Sequence, residues 1–171
     1  MPHRHPILSA TDACNSIRDS KLVAIRWDLV DWGLVLDVDV PIRNPEETPD
    51  DVTPVRRMWL VFGGMSEITW DLGNARLPDG CWMTSYGSIV QEEGDMQVFE
   101  ITTMVPTFKG NEMAKDVRQT GRLAIRSMSM FAVRSKDHDL PGQFGLTREQ
   151  RTSLADDESM RDVARKHLAS L

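Results

Sequence analysis

Leu34-Val35-Leu36-Asp37-Val38-Asp39-Val40 is the stretch that decides the fold. Leu34, Leu36, Val38 and Val40 fall on one side of an extended chain, and Val35, Asp37 and Asp39 on the other. That two-residue period belongs to a half-buried strand. The run before it, Leu22 to Val30, is apolar-rich throughout, and Asp31-Trp32-Gly33 between the two is a turn. Together they predict a β-hairpin.

Upstream of the hairpin, Ser9 and Asp12 have capping-box spacing, with Asp in place of Glu. Ala13, Cys14 and Ile17 add a narrow apolar stripe, so a short helix is predicted over about residues 10–19. Downstream, Pro41, Pro45, Pro49 and Pro54 interleave with Glu46, Glu47, Asp50 and Asp51. Proline cannot donate to a sheet ladder, which makes 41–56 a loop, expected to be mobile. Met58 to Phe62 reads as a buried strand and Ser66 to Asp71 as a second, with Gly63-Gly64 marking a bulge or a tight turn between them. In the second, Ile68 and Trp70 share one face, Glu67 and Thr69 the other.

Pro78-Asp79-Gly80 and Glu92-Glu93-Gly94-Asp95 are turns that bracket the strands Cys81–Ile89 and Met96–Val105. A loop over 106–117 then precedes the longest strand, Gly121 to Arg134. Its faces read as Leu123, Ile125, Phe131 and Val133 against Arg122, Ala124, Arg126, Met128, Met130, Ala132 and Arg134. At the end, Thr147 with Gln150 and Ser153 with Asp156 have capping-box spacing. Met160, Val163, Ala164, His167, Leu168 and Leu171 follow the helical period. The expected class is α+β: six or seven mostly antiparallel strands with a short N-terminal helix and a C-terminal helix. One domain spans 1–171, divided into an arm and helix (1–20), a sheet region (21–135) and a C-terminal helix (147–171). Barrel and open sheet both fit this pattern.

At 171 residues the chain is long enough to hide about 70% of its unfolded surface without staples. It holds no run of about 20 apolar residues, and Met1-Pro2-His3-Arg4-His5-Pro6 lacks a signal peptide's apolar stretch. Cys14 and Cys81 form no CxxC pattern and read as buried thiols in a reducing compartment, so the cytoplasm is the expected location. The net charge of −6 is uneven: residues 1–104 hold 8 Lys and Arg against 17 Asp and Glu, and residues 105–138 hold 7 against 3. Such a surface repels nucleic acid and anionic membrane and steers a basic partner.

Asp37 and Asp39 lie about 7 Å apart on one strand face, a separation some glycosidases use. Acids alternating with apolar residues are also what a solvated strand displays, and we read the pair as exposed and partner-facing. Arg122, Arg126 and Arg134 on one face suit an anion such as phosphate or carboxylate. They suit equally the neutralisation of acidic strands beside them, the simpler reading. Of five tryptophans, Trp59 and Trp70 lie in apolar strands and are expected in the core. Trp32, at a turn, is the candidate for an exposed interface anchor. The four histidines have no metal-ligand spacing, and no phosphate loop, dinucleotide fingerprint or nucleophile elbow is present. No catalytic residue, metal or cofactor is therefore assigned.

The hairpin at 21–40 with its Asp-rich edge, the strand–Gly-Gly–strand unit at 58–70 and the acidic balance resemble the small acidic β-rich immunity proteins of bacterial polymorphic-toxin and contact-dependent-inhibition systems. The resemblance implies a non-enzymatic intracellular protein that binds and neutralises a cognate basic toxin. Contacts are then expected at Asp37, Asp39, Trp32, Glu46, Glu47, Asp50 and Asp51. The alternative is a small-ligand-binding or hydrolytic β-barrel, which a deep pocket lined by Trp and Arg would favour.

Overall fold

Period-two alternation commits most of this chain to strands, and the remaining question is how they close. The computed structural model describes residues 6–18, 20–28, 33–41, 55–71, 83–109, 112–135 and 158–171. They form strands β1 (Ile7–Ser9), β2 (Lys21–Asp28), β3 (Gly33–Pro41), β4 (Val55–Asp71), β5 (Met83–Glu93), β6 (Met96–Lys109) and β7 (Glu112–Arg134). Two helices, α1 (Ala10–Ser16) and α2 (Glu158–Leu168), flank them. Every pairing among the described residues is antiparallel. The expected α+β class with a mostly antiparallel sheet holds.

The strands form a ring. β2, β3 and β4 make one meander and β5, β6 and β7 another, and the two join through β4–β7 and β2–β5. The order β7-β4-β3-β2-β5-β6 returns to β7, a six-stranded barrel, with β1 added beside the end of β7. β7 makes closure possible by its length. At about 3.3 Å per residue its 23 residues outrun one neighbour, so residues 112–127 pair with β6 and 122–134 with β4. Among the described residues the β2–β5 seam is thin, two register pairs at Lys21–Thr84 and Leu22–Met83. α1 lies against β5 at this seam, where the Ser88 hydroxyl donates to the Cys14 carbonyl at 2.9 Å. The helix starts as expected: the Ser9 hydroxyl accepts from the Asp12 N–H, and it ends at Ser16 rather than residue 19.

Leu22, Leu34, Leu36, Val38, Met58, Leu60, Phe62, Phe99, Ile101, Leu123, Ile125 and Met130 fill the interior, with Ala13 and Cys14 of α1 and Ile17 at its C-cap packed among them. A small barrel is closed by side chains in this way rather than left hollow. A second apolar layer lies outside the wall. Val35, Trp59, Val61, Phe131 and Val133 face Met160 and Ala164 of α2, with Val163 and Leu168 at the margin. Burying Met160 alone is worth about 1.5–3 kcal/mol. Leu168 reaches so close to the sheet that a Cβ on Gly63 would sit 3.0 Å from its Cδ2.

Several expectations are corrected. Of the bulge and the tight turn expected at Gly63-Gly64, the turn is excluded: β4 runs through the pair, with Gly64 at φ +58° and a bulge-type register shift just beyond it, between Met65 and Glu67. The loop expected over 106–117 is mostly strand, the proline at 106 being accommodated by a register shift between Pro106 and Phe108. Trp59 is fully buried as expected, whereas Trp70 is 41% exposed. On β7 the interior-facing buried positions run Leu123, Ile125, Ser127 and then Met130, Ala132. That three-residue step, opposite the irregularity in β4, changes the phase of the alternation. Leu123 and Ile125 therefore belong to the interior, but Phe131 and Val133 to the outer layer beneath α2. The loop at 41–56 beyond its ends, the turn at 78–80, Cys81 and the capping pairs at 147–156 lie outside the described residues.

Candidate protein-binding face

Asp37 and Asp39 were expected at the surface, and the structure places them beneath it, 1% and 5% exposed. They do point away from the barrel interior, as the alternation requires. Their side of the wall, however, is the one that carries the second apolar layer. Each carboxylate is met by a guanidinium from a neighbouring strand. Arg26 of β2 donates to Asp37 Oδ1 from Nε at 3.0 Å and from Nη2 at 2.7 Å. Arg57 of β4 donates to Asp39 Oδ1 from Nε at 2.5 Å, and its Nη1 is 3.7 Å from Asp37 Oδ2. The register dictates this, since Asp39 stands opposite both Lys21 and Arg57. Arg26 also lies 4.4 Å above the Trp59 ring, a cation–π contact that holds an indole whose N–H has no acceptor among the described residues. Burial pushes the Asp37 carboxyl above its ordinary value. The Arg26 hydrogen bond and the charges of Arg26 and Arg57 pull it back only in part. Asp37 and Asp39 are thus structural ion-pair partners, not surface contacts.

The exposed carboxylates lie on the other side of the barrel, on the outer wall of β5, β6, β7 and β4. The ladders fix their neighbours rung by rung. Gly87, Thr102, Arg122 and Asp71 form one row; Ile89, Glu100, Ala124 and Thr69 the next; Gln91, Val98, Arg126 and Glu67 a third. Arg122 pairs with Glu100, a contact that raises the guanidinium pKa, and Arg126 Nη2 lies 3.4 Å from Glu93 Oε2. These two arginines therefore neutralise acidic neighbours, as the simpler reading held. Arg134 is not with them, because the phase change between Ser127 and Met130 turns it to the opposite side of β7. Among the side chains described on these rungs, four carboxylates (Glu67, Asp71, Glu93 and Glu100) stand against two arginines, a balance of −2, and Glu92 and Asp95 at the adjoining turn add to it.

Among the described residues no helix or strand covers this wall. Glu67, Thr69, Ile89, Gln91, Glu93 and Arg122 are exposed. A shallow hollow of about 210 Å³ lies over its centre, lined by Glu67, Thr69, Glu93, Val98, Ala124, Ile125 and Arg126. The alternation of Glu67 and Thr69 with Ile68 and Trp70 was visible in the sequence. Which strands would flank it was not, and that is why the face escaped notice.

Trp32, Glu46, Glu47, Asp50 and Asp51 lie outside the described residues. Among the described residues, no group of three or more His, Cys, Asp or Glu could hold a metal ion, and no helix is long and apolar enough to cross a membrane. His167 packs edge-on against Phe131, with ring centroids 4.6 Å apart.

The fold and its surfaces define a class: a side-chain-filled antiparallel barrel, helix-covered on one side and carrying on the other an acidic wall that no described element covers. Comparisons with protein-family models, with curated proteins and with solved structures found no match.

Proposed function

We propose that this protein is a binding protein of the immunity type, which neutralises a basic partner such as a toxin domain by docking the outer wall of β4, β5, β6 and β7 against it. The observation that carries the reading is the wall that no described element covers, net negative in its described side chains, with the exposed Ile89 and the half-buried Val98 and Ala124 set among its charges. Charged rims steer association, and apolar centres hold the complex once formed. The alternative of an interior ligand is less well supported, because the described interior is occupied by Phe62, Phe99, Leu60 and their neighbours.

The test is isolation of the complex from the native host followed by cross-linking. A partner of the expected kind arrests growth when expressed alone and is relieved by co-expression of this chain. Its cross-links fall on β4–β7, and its association rate declines with salt. Glu67→Lys with Glu93→Lys should slow association by at least tenfold without lowering stability, since both side chains are exposed. Cross-links confined to the α2 side, or an association rate indifferent to both charge reversals, would refute the assignment of the face.

A further inference from the structure

The β5–β6 hairpin turns through two residues, Gly94 and Asp95, with Glu93 opposite Met96 and Gly94 at φ +62°. In a two-residue hairpin the flanking pair exchanges both of its backbone hydrogen bonds. Alternation from Glu93 then directs the N–H and C=O of Glu93, Gln91 and Ile89 toward β6. The same groups of Glu92, Val90 and Ser88 point to the other edge of β5. Among the described residues, β2 pairs with β5 only at Met83 and Thr84. α1 reaches Ser88 through the Cys14 carbonyl. Among the described residues, nothing bonds the backbone of Val90 or Glu92 on that edge. Natural edges this open are usually covered or used. Glu92, Glu93 and Asp95 stand around this one, all exposed.

We infer that the edge of β5 at Val90 and Glu92 accepts an added strand, an extended segment of the partner protein carrying lysine or arginine at alternate positions. The inference rests on the binding function proposed above and adds how the partner engages. Main-chain bonds to Val90 and Glu92 supply registration, and the carboxylates of Glu92, Glu93 and Asp95 select for positive charge. The wall of β5, β6, β7 and β4 then gains a fifth strand at its acidic end.

The probe is a labelled hexapeptide alternating lysine and valine. Its control carries methyl groups on alternate peptide nitrogens, which keeps each charge and removes the donors of one edge. Strand addition should slow amide exchange at Val90 and Glu92 at least tenfold at saturating peptide. The methylated control should bind at least tenfold more weakly. Glu92→Pro removes a donor on the open edge without breaking the β6 ladder, and should weaken the parent peptide far more than Glu92→Gln does. Failure of the parent peptide to bind, or equal binding of both peptides, overturns the strand-addition inference. If equal binding is also abolished by Glu67→Lys, the acidic wall stands without the edge. Protection at Val90 and Glu92 that falls with Glu93→Lys but ignores Glu67→Lys supports the edge and overturns the wall.

Discussion

Replacing Asp39 with asparagine keeps the side chain's shape and removes its charge, and the structure makes that an expensive change. Arg57 is 1% exposed, and Asp39 is its close partner at 2.5 Å, with Asp37 standing off at 3.7 Å. Without Asp39 the guanidinium stays buried and short of counter-charge, which typically costs about 3–5 kcal/mol. Asp37→Asn is the informative contrast. It strands chiefly Arg26, whose side chain is 23% exposed and reaches water, while Arg57 keeps its bond to Asp39. The expected loss there is about 1–2 kcal/mol. At roughly 2–4 °C per kcal/mol for a chain of this size, Asp39→Asn should lower Tm by about 6–20 °C, and Asp37→Asn by about 2–8 °C. Replacing the buried pair together, Asp39→Leu with Arg57→Met, should recover most of the loss, because apolar side chains carry no desolvation cost there. Urea unfolding at neutral pH measures all three. An Asp39→Asn cost below about 0.5 kcal/mol, or a larger cost for Asp37→Asn, would show that Arg57 is not the buried, dependent partner described.

Because burial raises the Asp37 pKa above its ordinary 3.8, the folded protein holds that proton more tightly than the unfolded chain. The resulting stability is fully present below the unfolded value and is lost as pH rises through the folded one. Relative to Asp37→Asn, wild type should therefore gain stability as pH falls from 7 toward 4, and a difference that moves the other way refutes the shift. Gly63→Ala should cost about 1–3 kcal/mol, since its Cβ would sit 2.6 Å from Ser129 Oγ and 3.0 Å from Leu168 Cδ2. Adding Ser129→Gly should recover part of that loss in the same unfolding assay. In a Cys81→Ser background, Cys14 should resist a thiol reagent until the protein unfolds, because burial both shields the thiol and raises its pKa. Rapid labelling of the native protein would place α1 away from the barrel seam.

Much of the strand content was legible because alternation is a local property. Leu34, Leu36 and Val38 identify one face of β3 whatever lies beside them, and Ser9 and Asp12 announce α1 from within four residues. The hairpin turn at Gly94-Asp95 was equally local. β7 was harder: Phe131 and Val133 continue an apparently regular pattern from Leu123 and Ile125, yet the phase changes between Ser127 and Met130. That irregularity answers Gly63-Gly64 on β4, some 65 residues earlier, and no window around either site contains both.

The functional face divides along the same line. By itself the sequence determined the class of fold, which positions on each strand share a side, and that the first 104 residues carry an excess of acid. It could not determine whether a strand's second side meets water. Asp37 and Asp39 alternate as exposed acids do, and only the placement of Arg26, Arg57 and the second apolar layer makes them buried ion-pair partners. Glu67, Glu93 and Glu100 look no different in the sequence, and they stay on the open wall because no described element covers β4, β5, β6 and β7 there. Ring closure, and an edge at Val90 and Glu92 that no described strand pairs, were likewise decided by pairings between distant strands. Alternation is set by the geometry of one extended chain; exposure is set by what the rest of the chain lays over it.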